Sequence, residues 1–291
     1  MKHAHITPLL KKPNLDTEQL KNYRPIANLS FLSKTIERAA AAQLQNYLTD
    51  NNLHGHFQSA YRKHHSVETA LLRVQNDLLL AADKGQEAIL VLLDYSSAFD
   101  TIDHNIMRQR LTNRYGVSGH AIGWFESYLG NRTQSVVING ALSNPQVPFC
   151  GVPQGSVLGP LCFTLYTSPL EDIIEGHDIN RMLYADDTQV YVITNEQDRP
   201  TTISQLEHCL NDVRAWSVAN KLKLNEEKTE VIHITSRFRS STTLSPITIG
   251  SFPIEPVQRV RDLGVTFQND LRTDIHVKNI CKSSYLALHK I

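Results

Sequence analysis

The sequence predicts an α+β fold in which helices pack on one face of an antiparallel sheet, and three stretches carry that expectation. Residues 88–93, Ala-Ile-Leu-Val-Leu-Leu, are too short and too continuously apolar for an amphipathic helix, and read as a strand buried on both faces. Residues 182–193 read as a hairpin with Asp186-Asp187 at its tip. Residues 205–220 put Leu206, Leu210, Val213 and Trp216 on one side of an amphipathic helix. Strands and helices in alternation, with an antiparallel hairpin among them, indicate this class.

Local signals place the other elements. Ile6-Thr7-Pro8-Leu9-Leu10 reads as a short edge strand running into Lys11-Lys12-Pro13, and Pro25 holds Asn22-Tyr23-Arg24-Pro25-Ile26 extended. Ser30 caps a helix through about Leu48, with Ile36, Ala40 and Leu44 on one face and Asp50-Asn51-Asn52 at its end. Ser66 caps a second helix, through Leu71, Leu78 and Ala81, and Gly85 stops it. Asp103 caps a third, with Ile106, Leu111 and Tyr115 inward and Gly116 at its end; a short helix then holds Trp124, Phe125 and Tyr128. Asn139-Gly140 joins residues 135–138 to 141–142 as a two-residue hairpin. The helix after Gly155-Ser156 can hardly start earlier, because Pro160 is tolerated only near a first turn. Short strands follow at 222–224 and 230–235. With no internal repeat, low-complexity tract or linker, these elements read as one continuous architecture.

A chain of 291 residues, 41% hydrophobic and 20% charged, has the makings of a sizeable core. Cys150, Cys162, Cys209 and Cys281 are scattered, with no Cys-x-x-Cys pair, so neither a disulfide framework nor a zinc site is indicated and a reducing, intracellular compartment fits. The longest apolar run has six residues, far short of a membrane span, and the start lacks an apolar leader, so a soluble protein is expected. Net charge is zero but unevenly spread. Residues 1–75 carry 10 Lys/Arg against 5 Asp/Glu, residues 76–213 carry 7 against 17, and residues 214–291 carry 12 against 7. An acidic centre between basic ends suits a site that holds divalent cations while its surroundings hold phosphates.

Asp94 directly follows the six core residues of the buried strand, an expensive place for a charge unless something compensates it. Alternation at the hairpin tip aims Asp186 and Asp187 to opposite sides, so Asp94 and Asp186 should face each other if the two elements are neighbours. Two such charges about 4 Å apart repel by roughly 4 kcal/mol at an effective dielectric of about 20, a cost that a divalent cation removes. Hard oxygen ligands from two or three carboxylates leave positions for water and substrate phosphates, as Mg²⁺ sites do. Taken singly, Asp94 also reads as a cap and Asp186-Asp187 as a polar turn. Gly151, Gly155 and Gly159 with Gln154 form a loop whose backbone can approach a ligand before a helix begins, or simply a turn. Asp100 and Asp103 precede a helix whose dipole favours negative charge, and are counted as structural. His64-His65 and the other histidines show no pairing that suggests a metal site.

Three longer stretches join these residues into a pattern. Leu93-Asp94-Tyr95-Ser96-Ser97-Ala98-Phe99-Asp100 comes first, then Gly151-Val152-Pro153-Gln154-Gly155-Ser156-Val157-Leu158-Gly159-Pro160, then Tyr184-Ala185-Asp186-Asp187. They resemble, in order and spacing, the motifs conventionally called A, B and C of reverse transcriptases. With Asn22-Tyr23-Arg24-Pro25-Ile26 upstream and Leu263-Gly264-Val265 downstream, the wording is similar to non-LTR (LINE-type) retrotransposon enzymes over essentially the whole chain. The resemblance implies a right-handed fingers, palm and thumb polymerase with an antiparallel palm sheet. Fingers would take residues 1–87 and 105–150, palm 88–104 and 151–268, and thumb 269–291.

It further implies an RNA-directed DNA polymerase that extends a DNA primer with dNTPs on an RNA template, using two Mg²⁺ ions that Mn²⁺ could replace. Asp94, Asp186 and Asp187 would be the catalytic metal ligands. Phe99 would close the pocket against a ribose 2′-hydroxyl. Gln154 and Gly155 would lie over the incoming nucleotide and template, Arg24 and one of Lys11 or Lys12 would grip the triphosphate, and Lys228 would protonate the leaving pyrophosphate. Retrotransposition would place the protein in the nucleus and/or cytoplasm. Two rival readings stand beside this one: a weak or dead relic that only binds RNA, and an RNA-dependent RNA polymerase, which Phe99 disfavours. The chain begins almost on the first fingers strand, leaving no room for an upstream endonuclease, and stops in a helical stretch. A truncated thumb, weak template grip and poor processivity are therefore expected.

Overall fold

The helix starts expected from capping residues are present in the computed structural model, which describes residues 2–96, 98–236 and 244–289. Ser97 of the first motif and the closing Ile291 lie outside the described residues. In chain order the elements are β1 (His3–Leu10), β2 (Tyr23–Asn28), α1 (Phe31–Asp50), α2 (Val67–Asp83), β3 (Glu87–Leu93), β4 (Tyr95–Ser96), α3 (His104–Asn113), α4 (Gly119–Leu129), β5 (Thr133–Ile138) and β6 (Ala141–Leu142). There follow α5 (Gly159–Thr167), α6 (Pro169–Gly176), β7 (Asn180–Tyr184), β8 (Asp187–Thr194), α7 (Arg199–Ala219), β9 (Lys223–Leu224), β10 (Glu230–Ile234), β11 (Ile247–Ile249), β12 (Phe252–Ile254), β13 (Pro256–Val257), β14 (Arg259–Asp262), β15 (Val265–Gln268) and α8 (Asp274–Leu288).

Side-chain oxygens satisfy the orphan amides that open three helices. Ser30 Oγ accepts from the Ser33 N–H at 3.2 Å, Ser66 and Thr69 cap each other reciprocally, and Asp103 Oδ1 accepts from the N–H groups of Asn105 and Ile106. Asn139 and Gly140 both have positive φ, as the tight β5–β6 turn requires. Pro160 stands in the first turn of α5.

The chain divides into two compact units. One comprises Met1–His56, Ser97–Ser168 and Asn220–Leu222. Its sheet has the order β2-β1-β5-β6. The expected edge strand is therefore internal: β1 pairs antiparallel with β2 and parallel with β5. Pairing with β5 ends at Ile6, so Pro8 has only β2 beside it, opposite Pro25, and its missing N–H costs no ladder bond on the β5 side. The buried face of α1 also differs from the expected one. Ser33, Glu37, Leu44 and Leu48 are buried, while Ile36 is 41% exposed. The reason is non-local: Glu37 Oε2 accepts from the N–H groups of Val157 (2.7 Å) and Leu158 (3.4 Å) at the start of α5, and Glu37 Oε1 accepts from Ser33 Oγ.

The second unit comprises Phe57–Ser96, Pro169–Ala219 and Lys223–Ile291. Its five-stranded sheet has the order β13-β10-β3-β8-β7, antiparallel except for the β10–β13 pair. The predicted buried strand, β3, is central. Leu71, Val74 and Leu78 of α2 pack in one cluster with Leu90, Tyr191 and Ile232. The alternate residues Ile89 and Val91 are equally inaccessible, and α6 and α7 lie against β7 and β8. Helices on one face, the expectation above, is thus corrected: a strand apolar at every position needs cover on both sides. The helix α6 and the small hairpins β11–β12 and β14–β15 carry no strong local signal and were not foreseen.

Glu87 opens β3 and is 5% exposed. Arg199 donates to both its oxygens, at 2.7 and 3.0 Å, and His233 Nε2 lies 2.9 Å away. Burial pushes the Glu87 carboxyl up, but the bonds from Arg199 and His233 outweigh it and leave the group below its ordinary value. Among the described residues no helix is long and apolar enough to cross a membrane.

Candidate active site

At its other end β3 delivers Asp94. The β3–β8 register runs from Glu87 opposite Thr194 to Leu93 opposite Thr188, and one further step brings Asp94 level with Asp187. Asp187 thus stands across from Asp94, and Asp186 is the next residue toward the turn. The cause is the hairpin's length: Tyr184 pairs with Asp187, so Ala185 and Asp186 form the two-residue turn and Asp187 is the first residue of β8. Ala185 sits there with φ of +58°, a left-handed conformation that disfavours a β-carbon.

Asp187 keeps solvent access, yet its carboxyl is pushed up to about 6, by burial first and then by the charges of Asp186 and Asp94. Lys228 Nζ stands 3.4 Å from Asp94 Oδ2, and the loop that carries it is tied to the same residue by the Asn225 N–H, which donates to the Asp94 carbonyl at 2.8 Å. Asp94, Asp187, Lys228, Glu230, Arg261 and Asp262 line a cleft of about 90 Å³. Among the described residues, no three His, Cys, Asp or Glu side chains are gathered into a group that could hold a metal ion unaided. Two hard carboxylates and a small polar cleft still fit Mg²⁺, which takes most of its ligands from water and phosphate.

The other predicted residues fall in the first unit. Gly151, with φ of +85°, lies so close to the turn before α3 that a β-carbon would stand 2.7 Å from the Asp100 carbonyl oxygen. The Gly151 N–H donates to the Ile102 carbonyl and the Val152 N–H to the Phe99 carbonyl. Gln154 Nε2 donates to both oxygens of Asp100, at 2.9 and 2.8 Å. Asp100, counted as structural from the sequence, binds Gln154 rather than a helix end. Gly155 has φ of +106°, and a β-carbon there would come within 3.0 Å of the Ala27 carbonyl oxygen. The half-buried Phe99 ring packs against Phe163 with centroids 5.2 Å apart. Arg24, Lys11 and Lys12 are exposed; Lys11 Nζ donates to the Lys21 carbonyl at 2.7 Å. The cations meant for a triphosphate thus lie on β2 and just beyond β1.

Residues 10–267 match the family model described as reverse transcriptase (RNA-dependent DNA polymerase). The chain belongs to the reverse transcriptase family. It is 28% identical over 288 residues to a probable RNA-directed DNA polymerase from transposon BS of Drosophila melanogaster, covering 97% of this chain and 31% of that protein. It is 27% identical over 285 residues to the RNA-directed DNA polymerase from mobile element jockey of the same fly, covering 96% of this chain and 30% of that one. The chain therefore spans about a third of the length of these relatives. Among solved structures it resembles apo telomerase from Candida tropicalis truncated from its C-terminal domain, with a TM-score of 0.60 at 13% identity, over 93% of this chain and 54% of that one. The fold class expected from the sequence is that of its family.

Within this reverse transcriptase fold, Asp262 and Gln189 escaped sequence reasoning. Gln189 Nε2 donates to Asp262 Oδ1 at 3.0 Å, and Asp262 is 4% exposed. Gln189 Oε1 and Asp262 Oδ2 are buried without a hydrogen-bond partner. Burial, then the charge of Asp187, pushes the Asp262 carboxyl up to about 7 despite the bond from Gln189. The only signal was the alternation of Arg-Val-Arg-Asp before Leu263-Gly264, which marks a short strand and says nothing of its neighbour.

Proposed function

We propose that this chain is the polymerase portion of a non-LTR retrotransposon protein, adding deoxynucleotides to a DNA primer on an RNA template. The observation that carries this reading is the placing of Asp94 level with Asp187 across two central strands, with the Asp187 carboxyl pushed up to about 6. A family fold that crowds carboxylates without enough protein cations is arranged to receive a metal cation. The Drosophila relatives, described as polymerases of mobile elements, support the same reading.

Asp94, Asp186 and Asp187 would hold two Mg²⁺ ions, or Mn²⁺ in their place. Bound there, the ions supply activation of the primer 3′-hydroxyl and stabilisation of charge on the leaving pyrophosphate. The chain's own residues do the rest. Lys228, beside Asp94, donates a proton to the leaving group. Arg24 with Lys11 or Lys12 grips the triphosphate, and the exposed Lys12 is the better of the two because the Lys11 ammonium is already bonded to a carbonyl. Phe99 rejects a ribose 2′-hydroxyl, while Gln154 and Gly155, held by Asp100 and β2, shape the surface for nucleotide and template. Fingers at 1–87 and 105–150, palm at 88–104 and 151–268, and thumb from 269 belong to the same proposal, as does an intracellular site of action, in nucleus or cytoplasm.

Primer extension on an RNA template with Mg²⁺ tests it. Asp186→Ala should abolish extension while melting as the parent does. Retained extension would refute the assignment, and equal use of ribonucleotides would point instead to an RNA polymerase.

A further inference from the structure

The turn that carries Asp186 is held from outside its own hairpin. The strand β7 ends the five-stranded order, so its outer amides need partners from elsewhere. Residues 57–60 supply them as an irregular parallel strand. The Leu183 N–H donates to the Phe57 carbonyl and the Ser59 N–H to the Leu183 carbonyl, both at 3.0 Å. A parallel ladder would next send the N–H of residue 185 to the backbone of residue 59. Ala185 has left the strand with φ of +58°, and its N–H instead reaches Gln58 Oε1 at 3.2 Å. The same oxygen accepts from the Ala60 N–H at 2.9 Å, and Gln58 is 8% exposed.

This strand substitute is itself fixed at its start. The Phe57 ring lies under the guanidinium groups of Arg73 (4.1 Å) and Arg181 (4.4 Å), and the Phe57 N–H donates to Glu171 Oε1 at 2.9 Å. With Phe57 anchored and both lone pairs of its own carboxamide oxygen engaged, Gln58 cannot slide along β7. An alanine at positive φ costs of order 1 kcal/mol or more relative to a relaxed backbone, and is retained when its surroundings over-determine it.

We infer that Gln58 is a positioning residue for nucleotide addition: its carboxamide oxygen extends the sheet's hydrogen bonding past the end of β7 and locks the left-handed turn that presents Asp186 and Asp187. The inference rests on the proposed reading of those aspartates. It requires an acceptor of glutamine length at position 58, and does not require the amide nitrogen.

The test compares single-nucleotide extension and melting for the full chain carrying Gln58→Met, Gln58→Glu, Gln58→Met with Ala185→Gly, and Asp186→Ala. Methionine keeps the shape and loses the acceptor, so kcat should fall by about tenfold or more with KM for the nucleotide little changed, as for a displaced reacting group. Glutamate keeps the accepting oxygen and should stay within about threefold of the parent. Glycine at 185 removes the strain that Gln58 holds, and should recover most of the methionine loss. A merely structural glutamine would show no such rescue. The inference is overturned if Gln58→Met extends at the parental rate, or if neither glutamate nor Ala185→Gly improves on it. Should Gln58→Met fail to fold, Gln58→Glu decides by itself, with a loss of about tenfold counting against the inference. An active Asp186→Ala would overturn the site assignment instead, whatever the Gln58 variants do.

Discussion

The two ends of β3 each carry a carboxylate next to the same apolar strand, and the protein treats them in opposite ways. At the start, Glu87 is enclosed by Arg199 and His233, and its carboxyl lies below the ordinary value. At the other end, Asp94 stands level with Asp187, near Asp186, with Lys228 at 3.4 Å, and the Asp187 carboxyl is pushed up. A carboxylate whose charge the chain itself neutralises serves the fold. A group of carboxylates left short of cations, where a polar cleft opens, is prepared for charge brought from outside. Proximity to a buried strand therefore does not distinguish a structural carboxylate from one proposed for catalysis; the completeness of the charge compensation does.

This contrast can be broken by experiment, beginning with its largest expected effect. Asp94→Ala should lower primer extension by about 10³-fold or more, as loss of transition-state charge stabilisation does, without lowering the melting temperature. A parallel loss of stability would make the two ends alike. Glu87→Ala should do the reverse. It leaves the buried His233 and the partly buried Arg199 without their partner and should cost about 3 kcal/mol in denaturant unfolding, while the dependence of extension on Mg²⁺ concentration stays unchanged.

The pH dependence of stability sharpens the same difference. Asp187 and Asp262 have folded values of about 6 and about 7 against ordinary values of 3.8, so between about pH 4 and pH 7 the native state holds protons that the unfolded chain has released. Their contribution to stability is present below that window and is lost as pH rises through it. Glu87 has the opposite sign: its lowered value contributes stability above its ordinary 4.5 that is lost as pH falls. Metal-free melting should accordingly decline from pH 5 toward pH 7, and Mg²⁺ should reverse that decline by binding the deprotonated group. A melting temperature that rises over this range without metal would contradict the assignment.

The smallest effect concerns Asp262. A proton on Oδ2 donating to Gln189 Oε1 would satisfy both buried orphans at once, and asparagine offers that donor at every pH. Asp262→Asn should therefore stabilise the metal-free protein by about 1 kcal/mol at pH 8 and leave it unchanged at pH 4. Equal effects at both pH values would show that the carboxyl is ionised throughout.

What could be read from the sequence was local or was carried by motif wording. Ser30, Ser66 and Asp103 start helices because a cap bonds amides two or three residues away, and Asn139-Gly140 turns because its own backbone tolerates positive φ. The run at 88–93 could only be a strand covered on both faces. The residues proposed for the site were legible because Asp94, the Gln154 loop and Asp186-Asp187 stand in a family order. The inner face of α1 was misjudged because Glu37 outcompetes Ile36 through a partner 120 residues away. Periodicity counts apolar side chains and cannot see such a bond.

By itself, then, the sequence determined the central strand, the capped helix starts, the family and the positions of the motif aspartates, since each rests on neighbours along the chain or on a pattern of residue types. Only the tertiary structure decided which residue of the hairpin stands level with Asp94, that Gln154 is bound by Asp100, and that Gln58 bonds to the turn. Register across a sheet depends on where a hairpin turns, and a one-residue shift there sends every following side chain to the other face. That choice is made by packing between distant segments, and no window of sequence contains it.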